Sequence, residues 1–265
     1  MNIHDPILER PNHCETHGEF IAKCFMNNHW TNCPTCATEK HEQMARDAVI
    51  AETRAKTARL NAKINNAGIP QRFISKTLSS YVIDTNNDKQ RAIFAFCTDY
   101  ALDFETVRGT GKSFMLLGSV GTGKTHLSIG IALEIIKRGH SAIFTSASKM
   151  FRNVKETYRN NGKSEGEVLT IYTECDLLII DEVGVQRGTD YEKDIMFDVI
   201  NERYENLKPT IILSNLSVDE TKTHLGERVF DRLRENGGKA FLLNWNSYRS
   251  IAEVLNNTEG LESCN

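Results

Sequence analysis

Gly118-Ser119-Val120-Gly121-Thr122-Gly123-Lys124-Thr125 stands between two apolar stretches, Ser113 to Leu117 before it and Leu127 to Ile136 after it. A short apolar strand that runs into a glycine-rich turn and then into a helix is a phosphate-binding loop. The glycines at 118, 121 and 123 let the backbone wrap its amides around phosphate oxygens. The start of the helix adds its positive dipole, and Lys124 reaches the β and γ phosphates. Thr125 supplies a hydroxyl to Mg²⁺, and Thr122 and His126 fall in the same nucleotide-contacting stretch.

Outward from the loop, four more apolar runs have strand length: Ala142 to Thr145, Leu177 to Asp181, Thr210 to Ser214 and Ala240 to Leu243. Runs that are apolar at successive positions are buried on both faces, which points to an α/β domain with a five-stranded parallel sheet between helices. The third run ends in Asp181-Glu182. Asp181 is the candidate for the Mg²⁺ sphere, and Glu182 is placed to polarise an attacking water, which favours hydrolysis over simple nucleotide binding. The fourth run ends in Asn215, at the carboxyl edge of a strand expected beside the first, where it can orient the water and sense the γ-phosphate. In Leu225 to Arg234 a short helix turns Val229 and Leu233 inward, leaving Arg228 and Arg232 on an outer face. An arginine there can enter a neighbouring subunit's site as a finger; Arg232 is the first choice and Arg228 the alternative.

The N-terminal region has a different chemistry. Four of the seven cysteines, Cys14, Cys24, Cys33 and Cys36, lie in the first 36 residues, and three of them fall in the pairs Cys14-x2-His17 and Cys33-x2-Cys36. Two ligands two residues apart grip one Zn²⁺ from a single turn, and two such turns complete a tetrahedron. The expected ligands are Cys14, His17, Cys33 and Cys36, with Cys24 as an alternative to His17. Cys97, Cys175 and Cys264 are isolated and are assigned no chemistry. From Thr38 to Ala67 there is neither Gly nor Pro, and helix formers dominate until Gly68 and Pro70. Met44, Ala48, Ala51, Ala55, Ala58 and Ala62 draw one stripe along this helix, open to a partner or simply solvated. The expected organisation is a zinc module over 1–37, a linker or partner-binding helix over 38–68 and an ATPase domain over 69–265.

Composition limits the classes of function. The 265 residues carry 32 Lys and Arg against 35 Asp and Glu, a formal charge of −3, which excludes a chain coated with positive charge. Hydrophobic residues make up 40% and charged residues 25%, the balance of a globular protein. The longest clean apolar run, Leu177 to Ile180, falls far short of the roughly 20 residues that cross a bilayer. No cationic stretch followed by an apolar one opens the chain, so the expectation is a cytoplasmic protein without membrane partners. One local departure exists. From Lys149 to Lys163 five cations meet a single acid, Glu156, for a local charge of +4, and Phe151, Val154 and Tyr158 run beside Arg152, Lys155 and Arg159. Phosphates can track such a basic stripe while Tyr158 stacks on a base, and Tyr191 is a second stacking candidate.

Taken together, the phosphate loop, the acid pair, the terminal asparagine, Gly226-Glu227-Arg228-x-x-Asp231-Arg232 and Asn244-Trp245-Asn246-Ser247-Tyr248-Arg249 resemble AAA+ replicative helicase loaders of the DnaC type over roughly Gly68 to Ile251. The resemblance implies ATP and Mg²⁺ at Lys124, Thr125, Asp181 and Glu182, a first sensor at Asn215, a trans-acting finger at Arg232 and a second sensor at Arg249. It also implies self-association through shared ATP sites, a replicative hexameric helicase as partner, single-stranded DNA held by the Lys155, Tyr158 and Arg159 region, and no C-terminal helical lid. The cysteine-rich module is similar to that of zinc-bearing DnaI-type loaders. Two alternatives stand beside this reading: a transposition helper ATPase of the IstB type, and a zinc adaptor that uses ATP as a switch without hydrolysing it.

Overall fold

The computed structural model describes residues 8–25, 29–159, 162, 164–185 and 188–248, in two compact units, Met1–Arg59 and Leu60–Asn265. In the first unit, β1 (Leu8–Cys14) and β2 (Gly18–Cys24) form an antiparallel hairpin with Leu8 opposite Cys24 and Cys14 opposite Gly18. Helix α1 (Pro34–Asn66) follows, starting on a proline whose missing N–H costs nothing at a helix start. None of its 33 residues is buried, and Met44 of the small-residue stripe is 62% exposed. The boundary between the units falls inside α1. Leu60 and Ile64 of its last turns pack on the core of the larger unit together with Ala67. Gly68, at φ 70°, then turns the chain, and the Ala67 carbonyl accepts the Phe144 N–H at 2.7 Å.

The larger unit runs α2 (Asp88–Leu102), α3 (Phe104–Thr110), β3 (Phe114–Gly118), α4 (Lys124–Lys137), β4 (Ala142–Ser146), α5 (Ala147–Glu156), α6 (Glu165–Glu174), β5 (Leu177–Val183), α7 (Asp190–Glu205), β6 (Thr210–Ser214), α8 (Val218–Leu225), α9 (Glu227–Arg234) and β7 (Lys239–Leu243). Its five strands pair in parallel in the order β4-β5-β6-β3-β7. Period-two alternation divides each central strand between two layers. Phe114, Leu116, Ile179 and Leu213 face α2, α3 and α4, whereas Met115, Leu117, Ile180 and Ile212 face α5, α6, α7 and α9. This double burial, worth about 1.5–3 kcal/mol per large side chain, explains the uninterrupted apolar runs. The arrangement is the AAA+ P-loop fold, with each of the five strands within two residues of its expected bounds.

Two features depart from the pattern. The reading of α5 put Phe151, Val154 and Tyr158 on one stripe; Phe151 and Val154 are buried, but α5 stops at Glu156 and Tyr158 stands 64% exposed in the 3-10 turn Thr157–Arg159. Arg203 is 1% exposed, beneath the sheet's amino edge. Its guanidinium donates to the carbonyls of Tyr172 (2.8 Å), Cys175 (2.8 Å) and Pro209 (2.7 Å) and to the Thr210 hydroxyl (2.9 Å). Carbonyl dipoles from the end of α6 and the start of β6 thus solvate a buried cation, and burial lowers its pKa.

Candidate functional site

All the strands of a parallel sheet end on one edge, and there the larger unit opens a cleft of about 1310 Å³. Gly118 leaves β3 at φ 124°, where an added Cβ would lie 2.2 Å from the Leu243 carbonyl oxygen. Only glycine fits between β3 and β7 there. Gly121 and Gly123 also take positive φ, 84° and 95°. Lys124 opens α4, and its Nζ donates to the Gly118 and Ser119 carbonyls at 2.6 and 2.7 Å. Burial pulls this ammonium down to about 8 against the opposing pull of Asp181. It is a desolvated cation resting on its own loop, and phosphate oxygens are stronger acceptors than those carbonyls.

Thr125 Oγ1 donates to Asp181 Oδ2 at 3.0 Å, so a hydroxyl and a carboxylate oxygen stand side by side. Burial raises the Asp181 pKa, opposed by the Glu182 N–H, which donates to Oδ1 at 2.7 Å, and by Thr125. Two adjacent oxygen donors, one of them a carboxylate, suit Mg²⁺. Between Ile180 and Val183 the β5–β6 register shifts, and Glu182 adopts φ 59°. A bulge with a left-handed non-glycine residue re-aims a side chain at a cost in strain, here of order 1–3 kcal/mol. The result is that Asp181 and Glu182 both line the cleft, with Asn215 from the end of β6.

Residues that were not site candidates wall the cleft on its other side. Tyr81 and Gln90 come from the segment before and within α2, and Trp245 follows β7. His126 lines the cleft as well, but its Nε2 pairs with the Thr77 carbonyl at 2.9 Å and the Ser80 hydroxyl at 3.2 Å, and its ring meets Tyr81 edge-on. That orientation ties the 77–81 segment to α4 while His126 remains in the lining of the cleft.

Arg232, Arg228, Lys155, Tyr158 and Tyr191 do not line the cleft. The Arg232 guanidinium covers the Phe197 and Tyr204 rings at 4.8 and 5.6 Å, half-buried, while Arg228 is exposed one turn earlier on α9. Lys155 is exposed on α5. The Tyr158 and Tyr191 rings are brought to 6.3 Å of each other, with the Tyr158 hydroxyl donating to Glu165 at 2.5 Å. The side chain of Arg159 and the whole of Arg249 lie outside the described residues.

In the first unit the donor atoms of Cys14, His17, Cys33 and Cys36 all lie within 4.8 Å of one another. Cys14 Sγ is 3.5 Å from Cys36 Sγ, and His17 Nδ1 is 3.2 Å from Cys36 Sγ and 3.7 Å from Cys33 Sγ. A tetrahedron with Zn–S near 2.3 Å has edges of about 3.8 Å, so the set fits Zn²⁺. The Thr16 and His17 amides draw the Cys14 thiol down to about 6. The Cys36 and Thr35 amides lower Cys33 in the same way. His17 Nε2 meets Glu39 Oε1 at 3.1 Å, which fixes the ring with Nδ1 toward the sulfurs. Cys24, the alternative to His17, is 3% exposed on β2 with its Sγ near the Phe25 carbonyl and outside this group.

The model of the IstB-like ATP binding protein family matches residues 40–250. The replicative helicase loader DnaC of Escherichia coli (strain K12) is 32% identical over 214 residues, covering 81% of this chain and 85% of that protein. Among solved structures, a DnaC helicase loader aligns with a TM-score of 0.58 at 25% identity, over 65% of this chain and 99% of that one. DnaI aligns with a TM-score of 0.56 at 23% identity, over 66% of this chain and 94% of that one, and shares the fold. No helix among the described residues is long and apolar enough to cross a membrane.

The cysteine cluster lies ahead of the residues that the family model matches. A two-stranded hairpin has little core of its own, so metal binding is expected to supply its folding energy. The chain, purified without chelator, is expected to carry one Zn²⁺, and Cys33→Ser with Cys36→Ser to lose it together with the hairpin's amide protection in hydrogen exchange. Metal analysis well below one equivalent in the wild-type chain contradicts this.

Proposed function

The chain belongs to the family of IstB-like ATP binding proteins, and on that premise we propose that it is an ATP-hydrolysing loader that binds a replicative hexameric helicase and delivers it to single-stranded DNA. The observation that carries the reading is the 32% identity to a helicase loader across 85% of that protein's length. The cleft chemistry supports hydrolysis. Lys124 would leave the Gly118 and Ser119 carbonyls for the β and γ phosphates, and Thr125 and Asp181 would hold Mg²⁺, which neutralises phosphate charge. Glu182 would take a proton from water as the water oxygen bonds to the γ phosphorus and the bond from phosphorus to the bridging oxygen breaks. Asn215 would hold that water in line. The cysteine module and α1 are assigned to the helicase, and Lys155, Tyr158, Arg159 and Tyr191 to DNA, with the phosphate-facing charge supplied by α5. Arg249 is assigned to the second sensor by the resemblance alone.

The other reading, a transposition helper of the IstB type that works with a transposase on duplex DNA, shares the IstB name with the matched family. Binding separates the two. The loader reading expects an ATP-dependent complex with a replicative helicase on gel filtration, and transfer of that helicase to a single-stranded circle. A chain that ignores the helicase and instead retains a transposase on duplex DNA contradicts it.

Arg232 lies outside the cleft and cannot readily serve its own ATP, so it is assigned to the site of an adjacent copy. A finger in trans is worth about 10³ to 10⁵ in rate. Arg232→Ala is expected to keep ATP affinity and lose most turnover, and Lys124→Ala to lose binding. Mixing the two inactive proteins restores interfaces with one intact loop and one intact finger, so ATPase activity should return and rise steeply with concentration. A mixture that stays inactive while the wild-type protein hydrolyses ATP assigns the role to Arg228 or to a group within the same chain.

A further inference from the structure

Two side chains far apart in sequence donate to one carbonyl oxygen of the phosphate loop. Trp245 Nε1 reaches the Thr122 oxygen at 3.0 Å, and the Tyr81 hydroxyl reaches it at 3.4 Å. The neighbouring carbonyl, Gly121, accepts the Tyr248 N–H at 3.0 Å. Tyr81 is held in turn by Gln90, 7% exposed on α2, whose Nε2 donates to the phenolic oxygen at 3.2 Å and whose Oε1 accepts the Asp84 N–H at 2.9 Å. The Tyr81 ring stacks on Phe94 with centroids 5.5 Å apart and closes over Gly123, where an added Cβ would lie 2.7 Å from it.

The geometry matters because the Thr122 carbonyl and the Gly123 N–H belong to one rigid peptide plane. A loop that binds phosphate through its amides must turn those N–H groups inward, so the matching oxygens point outward. Thr122 is 1% exposed, and water has little access to take the place of a lost donor. Without donors the peptide gains by rotating, and rotation would aim an oxygen instead of an N–H at the phosphates. The phosphate-loop motif itself carries no residue that prevents this.

We propose that Tyr81 and Trp245 are positioning residues for the nucleotide phosphates: together they fix the Thr122–Gly123 peptide with its N–H toward the cleft. The inference rests on ATP binding in this cleft and is independent of helicase loading. Because a carbonyl oxygen has two lone pairs, either donor alone holds the peptide in part, and removing both frees it.

The test uses the full chain with Tyr81→Phe, Trp245→Phe and both together, and reads the affinity for ATPγS beside the thermal midpoint without nucleotide. Each single change should weaken binding by about 3- to 10-fold and the pair by about 100-fold, with the nucleotide-free midpoint close to wild type. Tyr81→Phe removes one hydroxyl and keeps the ring on Phe94, so it stays informative if the tryptophan variant folds poorly. The chain has two tryptophans, so a Trp30→Phe background leaves Trp245 as the reporter, and its emission should change on ATPγS binding. Unchanged affinity in Tyr81→Phe and the pair overturns the proposal, as does a loss of affinity matched by an equal loss of nucleotide-free stability. Failure of the wild-type chain to bind ATPγS instead overturns the ATP reading itself.

Discussion

The cleft depends on the register of five parallel strands. Leu117 lies opposite Ser214, Gly118 opposite Leu243, and Ser146 opposite Asp181, so the ends of β3, β4, β5, β6 and β7 are level. A slip of one residue would invert every side chain between the two layers, and both layers are filled with large apolar groups. Register is therefore held by the core, and it brings polar residues at or just beyond the strand ends to one place. Lys124, Asp181 and Asn215, from three separate stretches, share a cleft for this reason. Glu182 needs one thing more, the bulge that turns it at φ 59°.

The sequence made the sheet legible because buried parallel strands and a glycine loop leave strong local patterns. It made the nucleotide cleft half legible. Residues fixed by spacing, such as Lys124 and Asp181, stand out, whereas Tyr81 and Gln90 belong to a segment with neither motif nor periodicity and reach the loop only through tertiary packing. Trp245 lies inside a recognisable stretch, but nothing in that stretch tells which way the indole points. The partners of His126 were hidden too, since the Thr77 carbonyl and the Ser80 hydroxyl reach its ring only through tertiary packing. Arg203 was equally hidden, since a buried guanidinium solvated by carbonyls has no acidic partner to betray it.

The two units illustrate two sources of order. The larger one is organised by apolar layers, whereas in the smaller four side chains able to hold a metal converge from the β1–β2 turn and the start of α1. Helix α1 belongs to both, since its last turns are part of the larger core although its stripe of small residues is exposed. This continuity explains why propensity could locate the helix, while the boundary at Arg59 and Leu60 left no mark in the composition.

Lys124, resting on its own loop at the strand ends, is where the proposed ATP site is most open to test. A crystal structure of the chain with Mg²⁺ and a non-hydrolysable ATP analogue tests it most directly. Lys124 Nζ is expected to exchange the Gly118 and Ser119 carbonyls for phosphate oxygens, with the metal held by Thr125 and Asp181. Nucleotide bound while Lys124 remains on those carbonyls, or bound anywhere other than this cleft, would contradict it.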